Sequence, residues 1–341
     1  MMHRRSLLGA VAAAGLPWPA RAATVSDDAG RTLSLPGPVT RVFPAGPPAA
    51  ILLYTLAPEM LIGWPRANRP EEREFLLPGI GNRPEVGRLT GRGNTANLEV
   101  VLALKPDLIL DVGSVASTYA ELAERTQNQT GIPYALLDGR FGATVATYRR
   151  LGALLARTER AETLARWAEA TLTTLTQRIA TVPQAERPRV YYARGPRGLE
   201  TGLAGSINVE TIEVLGARNV ATGLPGRGLA SVSLEQVLAW NPDVIITIDL
   251  TFAGEVARNP LWRAVSAVRS GRVHLSPKLP FGWVDFPPSV NRLIGLWWLA
   301  KVLYPGLVSE DLPTLTREFY QLFYHVTPSD AQVARVLAGR D

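Results

Sequence analysis

The chain has 341 residues, of which 46% are hydrophobic and 19% charged, and this composition is typical of a globular protein large enough for about two domains. It contains no cysteine, which excludes disulfides, thiolate metal sites and cysteine nucleophiles. The formal net charge is +6, but three arginines fall within the first 22 residues, and the remaining +3 is too small to indicate a nucleic-acid-binding protein.

Residues 1–22 have the composition of a cleavable export signal. A basic start at positions 3–5 is followed by an apolar run at 7–16, and Ala20-Arg21-Ala22 matches an A-x-A cleavage site. The Arg4-Arg5 pair resembles a twin-arginine signal, but ordinary leaders are also basic, so the sequence leaves the export route open. The leader has no cysteine for lipid attachment, so we expect a freely soluble periplasmic protein.

Strands and helices alternate along the first half of the mature chain. After a hairpin centred on residues 28–30, the pattern predicts strands at 41–43, 61–64 and 134–137, helices at 49–56 and 119–130, and between them a helix–strand element at 97–110. An irregular, arginine-rich segment occupies residues 65–92. This alternation predicts a parallel sheet covered by helices on both faces.

Residues 143–181 have helical periodicity throughout, and we predict a long connecting helix at 158–182. It divides the chain into a lobe at 23–157 and a second lobe at 183–341, which includes the C-terminal helices. The second lobe repeats the scheme with strands at 190–192 and 271–275 and a helix at 208–215. The most apolar later segment, residues 293–304, is too short to cross a bilayer.

One element occurs twice, 136 positions apart. Residues 97–110 read NLEVVLALKPDLIL and residues 233–246 read SLEQVLAWNPDVII, with eight of fourteen positions identical. Asn97 and Ser233 are helix N-cap residues, and the Pro-Asp pair in each copy ends the helix before a buried strand. The repeat therefore predicts two lobes of similar architecture. Glu99 and Glu235 occupy the first helical turn on the solvent side, where their negative charges interact favourably with the helix dipole and stabilise the helix.

In open α/β sheets, ligands bind beyond the carboxyl ends of the strands, and two facing lobes would form a cleft there. The loops at these positions are rich in arginine and aromatic residues. Because arginine binds oxyanions through several donors, these loops favour an anionic or chelated ligand with apolar parts. Our candidate ligand-binding residues are Trp64, Arg69, Arg92, Arg194, Arg197, Trp283, Asp285 and Arg292.

Signals for an enzyme or a protein-bound metal are weak. No nucleophile elbow, P-loop or HExxH motif is present, and the GRG sequences at 91–93 and 226–228 lack the context of a dinucleotide site. Outside the leader, only His274 and His325 could supply imidazole, and both lie beside apolar residues. Tyrosines 119, 191 and 192 could donate oxygen to ferric iron, but a tyrosine that follows a buried strand is more often part of the core. We therefore assign no catalytic residue, metal site or cofactor.

Taken together, the leader, the opening DDAGRTLSLP, the paired NLE…PDLIL and SLE…PDVII elements and the long connector resemble the periplasmic substrate-binding proteins for iron–siderophore, haem and cobalamin uptake by ABC transporters. The resemblance covers residues 24–324. It implies two Rossmann-like lobes joined by a single long α-helix, with the ligand held in a cleft between them. It also implies that Glu99 and Glu235 dock on arginines of an ABC permease dimer in the inner membrane, while the binding protein itself is a monomer.

This resemblance says little about the identity of the ligand. The sequence PFGWVDFPPSVNRL at 280–293 looks like a subgroup for iron or other metal complexes. We expect a ferric chelate of the iron–siderophore type, which brings its own oxygen ligands and whose negative charge arginines would match. Haem, cobalamin or a molybdate-like oxyanion are the alternatives, and an exported enzyme on the same fold is a further one.

Overall fold

The computed structural model describes residues 23–91 and 95–339. The predicted export signal and Arg92 lie outside these described residues. Within them, no helix is long and apolar enough to cross a membrane.

The first half of the chain is built on a three-stranded parallel sheet with the strand order β3-β4-β5. Its elements are β1 (Ala23–Ser26), β2 (Thr32–Leu35), β3 (Val42–Pro44), α1 (Pro47–Leu56), α2 (Pro70–Arg73), α3 (Pro78–Gly81), α4 (Leu98–Leu104), β4 (Leu108–Gly113), α5 (Ser117–Thr130) and β5 (Tyr134–Asp138). The antiparallel pair β1 and β2 is the predicted hairpin. Residues in β4 and β5 are buried on both faces, as expected for a parallel sheet that helices cover on each side.

One predicted strand is wrong. Residues 61–64 form no strand and make only isolated bridges, from Leu61 to Val42 and from Trp64 to Glu85. The apolar character of this segment is explained by burial under α1 and the aromatic core, because a short apolar run fits either a buried strand or a buried irregular segment.

The connector consists of two helices, α6 (Thr144–Leu154) and α7 (Thr158–Ala180). They are separated at Ala156, whose φ of 54° lies in the left-handed region and breaks the helical pattern. Alanine, leucine and isoleucine at every third or fourth position of α7 are buried, so this helix presents one apolar face to α6 and to the C-terminal helices.

The second half is built on a four-stranded parallel sheet with the order β11-β10-β6-β8. Its elements are β6 (Arg189–Ala193), β7 (Glu200–Gly202), α8 (Glu210–Val214), β8 (Arg218–Asn219), β9 (Leu229–Ser231), α9 (Leu234–Trp240), β10 (Val244–Thr247), α10 (Leu250–Glu255), α11 (Ser266–Arg269), β11 (Val273–Leu275), α12 (Arg292–Leu303), α13 (Leu312–Phe319) and α14 (Asp330–Leu337). Two parallel sheets, one in each lobe, and the long helix α7 confirm the predicted fold class.

In both halves a side chain caps the helix of the repeated element, but the two caps differ. The Asn97 side chain accepts the Glu99 backbone N–H at the start of α4, and Ser233 forms a capping box with Gln236 at the start of α9. Each helix has seven residues and ends at a residue in the left-handed conformation, with φ of 48° at Lys105 and 42° at Asn241.

The Pro-Asp pair of each copy ties its helix to the preceding strand of the sheet. Asp107 accepts the backbone N–H of Arg41 at 2.9 Å, and Asp243 accepts that of Arg189 at 2.8 Å. Both arginines in turn donate from their guanidinium groups to carbonyls at the end of α4 or α9. The repeat therefore encodes a structural lock, one in each lobe, which explains why the aspartates recur at the same position.

The C-terminal helices return to the first half of the chain. The Tyr54 hydroxyl donates to the Tyr324 carbonyl at 2.8 Å, Arg160 donates to the Leu322 carbonyl, and Arg335 pairs with Glu74 at 2.6 Å. One hydrophobic core consequently runs from α1 through α7 to α12 and α13. The lobe boundaries at residues 157 and 183 stay a prediction.

Candidate functional site

Arg292 lies where the two halves of the chain meet. Its guanidinium donates from Nη1 to Glu210 Oε2 at 2.8 Å and to the Ile207 carbonyl at 3.0 Å, both in the second half. Its Nη2 donates to the Gly139 carbonyl in the first half at 3.0 Å, and its Nε donates to the Ser289 carbonyl. The side chain is 2% exposed, so Arg292 is a buried cross-link at the base of the interlobe space.

Glu210 completes this cross-link. Its carboxylate accepts the backbone N–H of Phe141 at 3.2 Å, and the Phe141 ring lies 4.7 Å below the guanidinium of Arg292. Burial lowers the pKa of Arg292, and Glu210 opposes that change by stabilising the charged form. Because its donors are already paired within the protein, Arg292 holds the lobes together, and we correct its assignment as a ligand-binding residue.

Asp285 is the buried carboxylate at the wall of the second lobe. Its Oδ1 accepts the backbone N–H of Phe286 at 2.7 Å, and its Oδ2 accepts the Tyr192 hydroxyl at 2.9 Å. The Asn208 side-chain amide donates to both oxygens at 3.0 Å. A carboxylate has about four acceptor positions, so these contacts account for its hydrogen-bonding capacity.

Arg194 follows β6 directly and lies against this carboxylate. Its Nη1 is 3.5 Å from Asp285 Oδ2 and 3.3 Å from Glu200 Oε1, which are ion-pair distances. Within the described residues, however, neither Nε nor Nη1 has a hydrogen-bond acceptor, although the side chain is only 8% exposed. Donors left unsatisfied in a buried position are costly, and such groups commonly mark a place that water, an ion or a ligand fills.

The segment 285–289 spans the two lobes. It begins at Asp285, which is tied to the second lobe, and it ends at Ser289, whose hydroxyl donates to the Pro48 carbonyl of the first lobe at 3.0 Å. Between these anchors, the Phe286 side chain is 70% exposed, and its backbone φ is +65°. Such a conformation is rare for a bulky residue, so the segment presents this ring at a conformational cost.

The two predicted tryptophan contacts are wrong. Trp64 and Trp283 are both buried and not exposed on cleft loops. The Trp64 indole donates to the Ile80 carbonyl and packs against Tyr54 and Phe281, with ring centroids 5.5 and 5.8 Å apart. The Trp283 backbone packs against Gly295 so closely that a Cβ there would lie 1.8 Å from the Trp283 carbonyl.

The remaining predicted arginines have different environments. Arg69 pairs with Glu71 at 3.1 Å and with Glu72 at 3.0 Å, the two acidic residues of its own helix α2. Arg197 is exposed on the loop that begins with Arg194. Arg194 and Asp285 are therefore the two predicted ligand-site residues that the structure places in contact with each other.

Glu99 and Glu235 are both exposed in the first turns of α4 and α9. The pKa of Glu235 is lowered because its own backbone N–H and the Ser233 hydroxyl stabilise the carboxylate. Both glutamates thus lie where a negative charge stabilises the start of a helix. Their exposure also leaves them accessible to a partner.

Three residues at the site were not identified from the sequence. Asn208 and Glu210 lie in an unremarkable stretch and gain their roles only through contacts with residues about eighty positions away. Phe286 lies within the aromatic loop that the sequence indicated, but only its exposure distinguishes it from the buried aromatic residues beside it.

A second buried carboxylate lies at the carboxyl end of β4. Asp111 accepts the Thr90 hydroxyl and the Tyr134 hydroxyl, each at 3.0 Å, and the Val112 backbone N–H at 2.9 Å. Burial raises the pKa of this carboxyl, and the three donors oppose that change without reversing it. Burial therefore makes the protonated form of Asp111 more favourable than it is for an exposed aspartate.

Across the described part of the chain, no cluster of three histidine, aspartate or glutamate side chains is suited to hold a metal ion. His274 and His325 are half-buried, and burial lowers the pKa of both imidazoles. A hollow of about 700 Å³ lies beside α7, where Glu162 and Trp167 line it. Another hollow of about 390 Å³ lies beside Asp107, at the amino end of β4. Neither hollow involves Arg194 or Asp285.

Comparison with known proteins places this geometry in context. Residues 83–279 match the family model described as periplasmic binding protein. An ABC transporter solute binding protein from Sulfurospirillum deleyianum superposes with a TM-score of 0.84 at 31% sequence identity, covering 92% of this chain and 98% of that one.

Another relative is named for the ligand that it binds. The molybdate-binding protein MolA of Haemophilus influenzae is 26% identical over 284 residues, which is 76% of this chain and 78% of MolA. A molybdate-bound structure of MolA superposes with a TM-score of 0.75 at 24% identity, covering 90% of this chain and 99% of that one, and so shares the fold. The similar proteins are substrate-binding components of transporters and not enzymes.

Proposed function

The chain belongs to the periplasmic binding protein family, and we propose that it captures an anionic, oxygen-rich ligand between its lobes and delivers it to an ABC permease. Binding proteins of ABC transporters deliver small ligands to a membrane permease, so this role follows from the family. We further propose that the ligand is negatively charged and that Arg194 recognises it.

Arg194 is the observation that carries this proposal. Its Nε–H and Nη1–H groups have no acceptor within the described part of the protein, and the acceptor positions of Asp285 are occupied by other donors. A guanidinium held in this way has two donors left to hydrogen-bond an anionic oxygen. An anion would satisfy both donors and supply the negative charge that a buried guanidinium favours.

We propose a ferric chelate of the iron–siderophore type as the ligand. Phe286 is exposed on the segment that is tied to both lobes, and Tyr119 is exposed at the start of α5, beyond the carboxyl end of β4. Aromatic rings beside a guanidinium suit a ligand that has apolar surface as well as charged oxygens. The chelator would supply the oxygen ligands of the iron, consistent with a described chain that offers no metal-binding cluster of its own.

A molybdate-like oxyanion is the second candidate, and the relationship to MolA favours it. A tetrahedral oxyanion needs few donors, and the two unsatisfied N–H groups of Arg194 would match it better than a large, highly charged chelate. Several arginines that the sequence offered to a chelate are already paired, among them Arg292 with Glu210 and Arg69 with Glu71. The two candidates share oxygen acceptors and negative charge and differ in size and apolar surface.

Isothermal titration calorimetry with the full mature chain would test the proposal. The panel contains sodium molybdate, ferric citrate and a ferric tris-catecholate complex, so that a bare oxyanion and two kinds of chelate are compared. We expect saturable binding of at least one of them. Loss of a charge-assisted hydrogen bond of about 1.5–3 kcal/mol should weaken that binding about 10- to 100-fold in an Arg194→Gln variant.

Arg197→Gln is the matched control, because it removes the same charge from an exposed position three residues away on the same loop. We expect a much smaller change in affinity from this variant. Equal losses in both variants would mean that the loop attracts anions only through its overall charge, and no binding of any panel member would overturn the proposed ligand class.

The docking role of Glu99 and Glu235 is part of the same proposal. Their positions at the exposed starts of α4 and α9, the two copies of the repeated element, place one carboxylate on each lobe. Such a pair suits a two-fold symmetric partner with basic residues and fixes orientation more than it adds affinity. We also propose that residues 1–22 direct export to the periplasm and that lobes at 23–157 and 183–341 flank the linker helix at 158–182.

A further inference from the structure

Phe286 is an exposed aromatic residue in a rigid and sterically unfavourable setting. Its ring is 70% exposed, its φ is +65°, and it precedes a proline, which further restricts its backbone. An exposed phenyl ring contributes little burial to the stability of the fold, and a left-handed conformation is sterically unfavourable for a residue with a side chain. Packing in the folded protein therefore does not explain this side chain.

The surroundings of Phe286 fix its position relative to Arg194. Its backbone N–H donates to Asp285 Oδ1 at 2.7 Å, while Asp285 Oδ2 lies 3.5 Å from the Arg194 guanidinium. The loop cannot easily shift, because a Cβ at Gly282 would lie 1.9 Å from the Asp285 carbonyl and 2.9 Å from that of Phe286. One oxygen of this buried carboxylate thus accepts the backbone N–H of Phe286, and the other lies beside the Arg194 guanidinium.

The segment that contains Phe286 also joins the lobes. Asp285 is held by Asn208 of the second lobe, and Ser289 donates to the Pro48 carbonyl of the first. The exposed ring of Phe286 thus lies on a segment that is tied to both lobes and that begins at the carboxylate beside Arg194.

We propose that Phe286 recognises an apolar or aromatic face of the ligand, so that the protein carries an anion bound to an organic chelator in preference to a bare oxyanion. This inference rests on the proposed function, because Arg194 supplies the charge recognition and Phe286 supplies the discrimination. Ring-on-ring contact of this kind is selective for shape and is absent for a tetrahedral oxyanion.

The test compares two variants with three ligands by calorimetry. Phe286→Ala should weaken binding of the ferric tris-catecholate complex about threefold to tenfold, which corresponds to the range measured for aromatic pairs. Binding of ferric citrate and of sodium molybdate, which have no aromatic face, should change less than about twofold. Phe286→Leu should lie between the wild type and the alanine variant for the catecholate complex.

Stability provides an independent readout. Because the ring is exposed and the backbone is left-handed, Phe286→Gly should raise the melting temperature while it weakens binding of the catecholate complex. A structural role for Phe286 predicts a lower melting temperature instead.

Three results would overturn this inference. They are a wild-type protein that binds molybdate but neither chelate, a Phe286→Ala variant with unchanged affinity for the catecholate complex, and an equal loss for all three ligands. The first of these leaves the proposed transport of an anion intact, whereas a failure of the wild type to bind any of the three ligands refutes the proposed function itself.

Discussion

The cross-link between Arg292 and Glu210 predicts a large loss of stability when its acid is removed. In a Glu210→Ala variant, the guanidinium of Arg292 would stay 2% exposed and charged, because arginine does not give up its proton at any ordinary pH. Three of its four hydrogen bonds go to backbone carbonyls, so only dipoles and the more distant charge of Asp285 would remain to stabilise it.

The size of the effect follows from this burial. Removing one partner of a buried ion pair costs about 3–5 kcal/mol, mainly because the remaining charge is left uncompensated. The backbone N–H of Phe141 would also lose its acceptor, which places the expected loss for Glu210→Ala toward the upper end of that range. We expect the double variant Glu210→Leu/Arg292→Met to recover most of the loss, since apolar residues can replace both charges.

Urea unfolding followed by tryptophan fluorescence would measure these changes. Glu162→Ala is the matched control, because Glu162 also pairs with arginines, Arg149 at 2.8 Å and Arg166 at 3.0 Å, but does so at the surface. Exposed pairs of this kind contribute little to stability. A loss in Glu210→Ala that is no larger than the loss in Glu162→Ala would refute the assignment of a buried cross-link.

Three further predictions address other parts of the molecule. Since burial raises the pKa of Asp111 above its unfolded value, its contribution to stability is complete below the unfolded pKa and is lost as the pH rises through the folded pKa. The stability of Asp111→Asn relative to the wild type should therefore increase as the pH rises above about 4 in urea titrations, and a difference that does not change with pH would contradict this sign. Gly295→Ala should destabilise the protein by about 3 kcal/mol, because its Cβ would lie 1.8 Å from a backbone carbonyl. Gly254→Ala is the control in the same assay: a Cβ at this position of α10 would meet no atom within 4 Å, so this variant should stabilise the protein by up to about 1 kcal/mol. Replacing Glu99 and Glu235 together by alanine should leave ligand affinity unchanged and reduce uptake by cells or vesicles that contain the permease; unchanged uptake would refute the docking role.

The elements that follow simple periodicity could be predicted from the sequence. The N-caps at Asn97 and Ser233, the strand after each Pro-Asp pair and the long helix α7 all depend on neighbours within a few residues. The prediction of a strand at 61–64 was wrong because an apolar run indicates burial but does not show which segment its backbone hydrogen-bonds to. The lock between Asp107 and Arg41 joins positions 66 residues apart, so the repeat revealed that the aspartate recurs but not what it does.

The candidate site was harder to predict, because residue type does not show where a side chain points. Trp64 and Trp283 are in loops of the expected composition, but their rings pack into the aromatic core. Arg292 was singled out for the same reason as Arg194, and the structure gives them different hydrogen-bond environments. Which arginine is available to a ligand depends on acceptors brought in by residues distant in sequence, such as Glu210.

A comparison of these two arginines explains why the ligand should be an anion even though carboxylates surround the site. Arg292 has four hydrogen bonds to protein acceptors and a paired charge, so a ligand would gain nothing by approaching it. Arg194 lies beside two carboxylates, but Asp285 gives its lone pairs to Tyr192, Asn208 and the backbone of Phe286. The carboxylate therefore positions the guanidinium without satisfying it. Donors in excess of acceptors, in a buried position, favour a ligand that brings acceptors of its own.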